Sequence, residues 1–186
     1  MLTRISQRLA TAVMSDSDNK GQREIYAYGC ELLLYTIIST LGLLLIGIAI
    51  GKLFETSVMI AIFYLCQSNG GGYHAATHMR CFLTMVSGLF IALLLISIPL
   101  SNGFYVVILL LSVVTLVAFP LYLHPNKRYM VNQTSELVTR SRLITSCIAI
   151  CIVLISSYTS IQIIHSGSVA MLCSSISRIY AYLKKE

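Results

Sequence analysis

Charge is what this sequence has least of: 11% of its 186 residues are Asp, Glu, Lys or Arg, and only 7 of those are acidic. A soluble domain of this size covers its surface with about 25% charged residues, so the deficit excludes one. The chain also lacks a basic stripe interleaved with aromatics, which argues against a nucleic-acid partner. Its 6 cysteines are scattered through apolar stretches and do not make the framework of a secreted disulfide-rich domain. The N-terminal stretch has no continuous apolar core followed by small residues, so it does not read as a cleavable signal peptide. No internal repeat is visible, and a Gly-rich break occurs in one half alone, which disfavours an inverted-repeat transporter.

What is abundant is apolar sequence, 56% of the chain, with a mean hydropathy of +0.81. Disordered chains have the opposite composition. The expected fold is therefore all-α, a polytopic membrane helical bundle in one domain over 1–186. Candidate spans run over about 28–51, 53–67, 81–100, 103–122, 143–164 and 167–183, the second short enough to be a full crossing or one arm of a re-entrant element. With an even number of crossings and a cytoplasmic N-terminus, Arg4, Arg8, Lys20, Arg23, Arg80, Lys127, Arg128, Arg140, Arg142, Arg178, Lys184 and Lys185 fall inside and Lys52 alone outside, as the positive-inside rule requires. Both termini are then cytoplasmic. In the N-terminal segment, 1–24, Leu2, Ile5, Leu9 and Val13 recur at helical spacing with Arg4 and Arg8 opposite. That pattern fits an amphipathic helix lying on anionic lipid, or one packed on the protein.

The informative stretch is 67–81, from Gln67 through Gly70-Gly71-Gly72-Tyr73-His74 to Arg80-Cys81. Three successive glycines leave backbone polar groups bare, which lipid cannot satisfy, so the segment belongs at the cytoplasmic boundary. His74 is a potential base and Cys81 a potential nucleophile. On one unbroken helix they would lie about 10 Å apart along the axis, too far for proton transfer. A turn before His74 would fold the imidazole back over the next helix, whose first turn would hold Cys81 where the dipole favours thiolate. A thiolate beside a histidine is the activated pair of cysteine acyl-transfer enzymes.

Other readings stand beside this one. Cys66, Cys147, Cys151 and Cys173 read as packing residues, Cys30 similarly, and His124 and His165 as solvated loop histidines. On a continuous helix His74, His78 and Cys81 would share a face and could bind zinc. Glu31, an acid at the edge of an apolar span, would either orient the imidazole or simply sit in headgroup water at a helix start. A peptide exporter would need a continuous polar path, yet the middle of every expected span lacks charge.

The run Gly71-Gly72-Tyr73-His74-Ala75 followed by Cys81, after a first span with Tyr28-Gly29-Cys30-Glu31, resembles the accessory gene regulator protein B (AgrB) family. These are membrane cysteine endopeptidases of Gram-positive quorum sensing. The resemblance extends over nearly the whole chain and implies Cys81 as nucleophile and His74 as general base. It further implies an orienting role for Glu31, where members carry Glu or Gln, and a loop-shaping role for Gly71 and Gly72. Pro125, Asn126, Lys127 and Arg128, in a basic loop over 123–142, resemble the loop associated with precursor processing. The position seven before His74 is often arginine in the family but is Gln67 here; the anion it would bind is met by Arg80 or is absent. The resemblance implies an AgrD-type propeptide as substrate, cleavage through an acyl-enzyme thioester, closure of a thiolactone or lactone, membrane lipid and a second copy of the chain as partners, and no cofactor or metal.

Overall fold

The computed structural model describes residues 5–8, 11, 20–70, 73, 77–119, 131–158 and 161–184, and no strand occurs among them. The helices are α1 (Lys20–Ala49), α2 (Leu53–Gly70), α3 (His78–Ser97), α4 (Asn102–Ala118), α5 (Val131–Tyr158) and α6 (Ile161–Lys184). Two compact units divide the chain, Met1–Ile46 and Gly47–Glu186.

In the first unit residues 5–8 and 11 are helical, with Ile5 and Arg8 exposed and Ser6 buried. Leu2, Arg4, Leu9 and Val13 of the expected amphipathic face lie outside the described residues. α1 presents Leu33, Ile37, Leu41 and Leu45 to its surroundings. It ends, in the second unit, on a Schellman turn. Gly51, at φ 73°, donates to the Ile48 carbonyl at 3.0 Å, and Lys52 N–H donates to Gly47 O at 2.8 Å. A residue with a Cβ would be strained there.

The second unit is built around α6, which packs most extensively on α4 and α2. Its residues Ser166 to Met171 are all buried. Around it, α4 turns in Tyr105, Ile108, Leu109, Ser112 and Leu116, while α5 turns in Ser141, Thr145, Ala149 and Ile152, each set at helical spacing. Side-chain bonds fix the directions. His165 meets Asn102 at 3.0 Å near the N-terminal ends of α6 and α4, Ser175 Oγ donates to Ser112 O at 3.2 Å, and Arg178 reaches the C-terminal ends of α4 and α2. Helices α2, α4 and α6 therefore run parallel. α3 runs against α4, since Tyr105 OH donates to Leu95 O at 3.1 Å.

The polarity is that of a chain folded in lipid: Leu94, Ile91 and Leu45 are exposed, while Ser112, Ser174, Ser175 and Arg178 are buried. Among the described residues three helices are long and apolar enough to cross a membrane, over Tyr26–Ala49, His78–Ser97 and Glu136–Ile155. α4, at 17 residues, is apolar but shorter. α6 carries serines, a histidine and an arginine, so it is long without being uniformly apolar; Ser166, Ser168, Ser174, Ser175 and Arg178 are buried among neighbouring helices.

Several boundaries move from the sequence expectation. The polar residues 67–70 are the last turn of α2, not loop, and the expected loop over 123–142 is helical from Val131 on. The connection implied between the expected spans 143–164 and 167–183 is helix at His165 and Ser166, and Gly167 is where α6 crosses α5: a Cβ there would lie 2.9 Å from Ile152 Cγ2. His165 stacks on Tyr105 with ring centroids 3.9 Å apart and is not a solvated loop residue. Cys147 and Cys151, expected as packing thiols, are exposed on α5, while Cys66 is buried.

Gly167→Val should lower unfolding stability by roughly 1–3 kcal/mol through overpacking against Ile152. Gly88→Ala, where nothing lies within 4 Å of the new Cβ, should be neutral or stabilising by up to about 1 kcal/mol. Unfolding midpoints in detergent compare the two; a Gly167→Val midpoint equal to that of the parent would contradict the tight crossing.

Candidate functional site

The end of α2 is polar yet helical because its side chains bond back into the helix. Ser68 Oγ and Asn69 Nδ2 both donate to Leu65 O, at 3.2 and 2.8 Å. Beyond the Gly-rich segment, Thr77 is the N-cap of α3, extended at φ −131° and ψ 147°, with its hydroxyl accepting from Arg80 N–H at 3.4 Å. The first helical bond runs from Cys81 N–H to Thr77 O at 3.0 Å, so Cys81 lies in the first turn, half-buried. The extended Thr77 also means that residues 74–81 are not one continuous helix, which removes the geometry on which His74, His78 and Cys81 would share a metal-binding face.

A platform on α6 supports the two ends of this segment. Ser177 Oγ accepts from Gln67 Nε2 at 2.9 Å and from the Tyr73 backbone N–H at 3.2 Å. The Tyr73 ring meets Tyr180 edge-on, with centroids 4.8 Å apart and planes at 84°. Between them Arg178, 1% exposed, lies directly against Gly70, where a Cβ would overlap the guanidinium.

The partners of Arg178 follow from helix chemistry. Its Nη2 donates to Cys66 O at 3.0 Å, one turn before the end of α2. Its Nη1 donates to Phe119 O at 3.2 Å and to Leu116 O at 3.4 Å. The helical donor for Leu116 O would be the N–H of residue 120, which is proline and has none. α4 ends there for the same reason, and Arg142 Nε serves the next carbonyl, Val117 O, at 3.3 Å. The C-termini of α2 and α4 each carry roughly half a negative elementary charge, which together match one buried guanidinium.

The other expected site residues divide as follows. Arg80 is exposed in the first turn of α3, and Arg140 and Arg142 are exposed on α5. Glu31 is half-buried on α1, in the first unit. Gln67 shapes the segment through Ser177. His74, Gly71, Gly72, Lys127 and Arg128 lie outside the described residues. Sequence reasoning missed Ser177 and Tyr180, which carry no local signal. It took Arg178 as a topology marker, although an ionisable residue inside an apolar stretch is by default a functional candidate.

Replacing Arg178 with Met strands the α4 carbonyls and should cost roughly 2–4 kcal/mol of unfolding stability. Gly70→Ala should produce a smaller loss by displacing the same group. Both are read from denaturation midpoints, and parental stability of Arg178→Met would refute the bridging role.

Comparison with curated proteins and with solved structures gives no significant match. The family model of accessory gene regulator B matches residues 3–178 of the 186, nearly the whole of both units and the segment around Cys81. The chain belongs to the accessory gene regulator B (AgrB) family.

Proposed function

We propose that this chain is a multi-pass membrane cysteine endopeptidase that cleaves an AgrD-type propeptide in quorum-sensing autoinducer processing, with Cys81 as nucleophile and His74 as general base. The observation that carries the reading is the placement of Cys81 in the first turn of α3, four residues after the N-cap and just beyond the Gly-rich segment. The positive end of a helix dipole favours negative charge, on a thiolate or on the oxyanion formed when it attacks. Family membership supports the substrate class.

In this mechanism the sulfur attacks the scissile carbonyl and the tetrahedral oxyanion collapses. The C–N bond breaks, and His74 passes the proton it took from the thiol to the leaving amine. The peptide is left as a thioester on Cys81. A cysteine or serine within the same peptide then attacks the thioester, freeing the Cys81 sulfur and closing a thiolactone or lactone. Thioester exchange is near energy balance, so the cyclic product depends on keeping water from the acyl-enzyme, which suits a site at the bilayer edge. The family resemblance also implies a supporting role for Glu31.

The orientation follows from charge. Arg80, Arg140, Arg142 and Arg178 all lie toward the end of the second unit that carries Cys81, while Lys52, paired with Glu55 at 3.2 Å, lies at the other. By the positive-inside rule this distribution supports a cytoplasmic Cys81, and we propose that both termini are on that side. The same arginines, with Lys127 and Arg128, would attract an acidic peptide and anionic lipid. A homodimer is part of the proposal.

Co-expression with an AgrD-type propeptide tests it. Cys81→Ala should abolish cleavage, whereas Cys147→Ala should leave it intact. Wild-type enzyme should show a mass increase equal to the acyl peptide that hydroxylamine removes. Cleavage by Cys81→Ala at the parental rate would overturn the assignment.

A further inference from the structure

Glycine gives a backbone almost no steric preference of its own, so the path of a Gly-rich segment has to be imposed by contacts at its ends. Both ends converge on one short stretch of α6. Ser177 Oγ accepts hydrogen bonds from Gln67, in the last turn of α2, and from Tyr73 N–H, beyond the glycines, at 2.9 and 3.2 Å. A hydroxyl oxygen has two acceptor sites, and these two donors fill them. The neighbouring Arg178 guanidinium backs Gly70 and is itself held by Cys66 O, Leu116 O and Phe119 O. Tyr180, one turn further along α6, takes the Tyr73 ring edge-on. A helix spacing of three or four residues puts Ser177 and Tyr180 on the same side.

We propose that Ser177 is a positioning residue, a clasp that joins Gln67 and Tyr73 on a platform backed by Arg178 and so sets the register of Tyr73 against the end of α2. This deepens the functional reading above and rests on it: the register matters because the base, His74, immediately follows Tyr73, and the nucleophile, Cys81, opens α3. Ser177 touches neither substrate nor reacting atoms in this scheme. Its effect passes through Tyr73, the residue directly before the histidine. Displacements of about 1 Å between reacting groups can cost 10²-fold in rate, so loss of a single anchor is enough to matter. Arg178 fixes the platform and Ser177 makes the contact, which is why Ser177 is the residue to change.

The test measures the iodoacetamide alkylation rate of each cysteine as a function of pH, by peptide mass spectrometry, on the full chain in membrane vesicles. The chains compared are wild type, His74→Ala, Ser177→Ala and Ser177→Thr. Cys66, buried at 2% exposure, reports general unpacking. His74→Ala should alter the Cys81 profile, and Ser177→Ala should alter it in the same direction, slowing alkylation at neutral pH on the order of tenfold. Ser177→Thr, which keeps the acceptor, should restore the wild-type profile, and Cys66 should stay protected throughout. An unchanged Cys81 profile in His74→Ala would defeat the base assignment and this proposal with it. A shift in His74→Ala with none in Ser177→Ala would defeat the clasp alone. Labelling of Cys66 in Ser177→Ala, or failure of Ser177→Thr to restore the profile, would show a packing role and also overturn it.

Discussion

A guanidinium buried where helix ends meet is the constraint on which the second unit depends. Arg178 is 1% exposed, and its bonds run to carbonyls of α2 and α4, more than fifty residues away in sequence. Desolvating such a charge is expensive unless oxygen atoms replace its water. Here they come from the ends of α2 and α4, and in α4 the proline at position 120 has no N–H, which leaves Leu116 O to be served from outside. The proline creates an open acceptor and the arginine fills it. Because the guanidinium is planar, its two ends can face different helices, which a lysine ammonium would not do in the same geometry.

The same constraint reaches the functional segment. Gly70 is buried against Arg178, leaving no room for a side chain at that point. The adjacent Ser177 and the Tyr180 ring hold Gln67 and Tyr73. Helix α6 is thus both the centre of the packing and the base under the Gly-rich segment. Its composition reflects both tasks. Small Ser and Gly residues allow close helix approach, with Gly167 against Ile152, and the polar residues near its C-terminal end meet backbone groups that helices cannot satisfy internally.

Much of the local design was legible in the sequence. Long apolar runs with sparse charge identify helices for a lipid environment, and the glycines ahead of an apolar run place Cys81 in a first helical turn. Those features depend on neighbours in the chain. Boundaries were less legible where polar side chains stay helical. Gln67, Ser68 and Asn69 read as loop by composition, yet Ser68 and Asn69 bond to Leu65 O and Gln67 bonds to α6. The sequence gives no sign of why Gly167 is glycine, since the reason is the close approach of Ile152. The six expected spans fall on six of the described helices, of which three are long and apolar enough to cross a membrane; α4 is shorter, and α2 and α6 carry polar residues that lower their hydropathy.

The amino-acid sequence by itself determined the helical, lipid-compatible character of the chain, its family and the place of Cys81 at a helix start, because periodicity, capping and glycine content act over a few residues. Tertiary structure alone decided that Ser177 would join Gln67 to Tyr73, that Arg178 would lie beneath Gly70, and that His165 would stack on Tyr105. Those pairings are between residues remote in the chain. They exist because buried polar groups must find partners wherever helix packing brings a donor and an acceptor together, and no local pattern encodes which ones will meet.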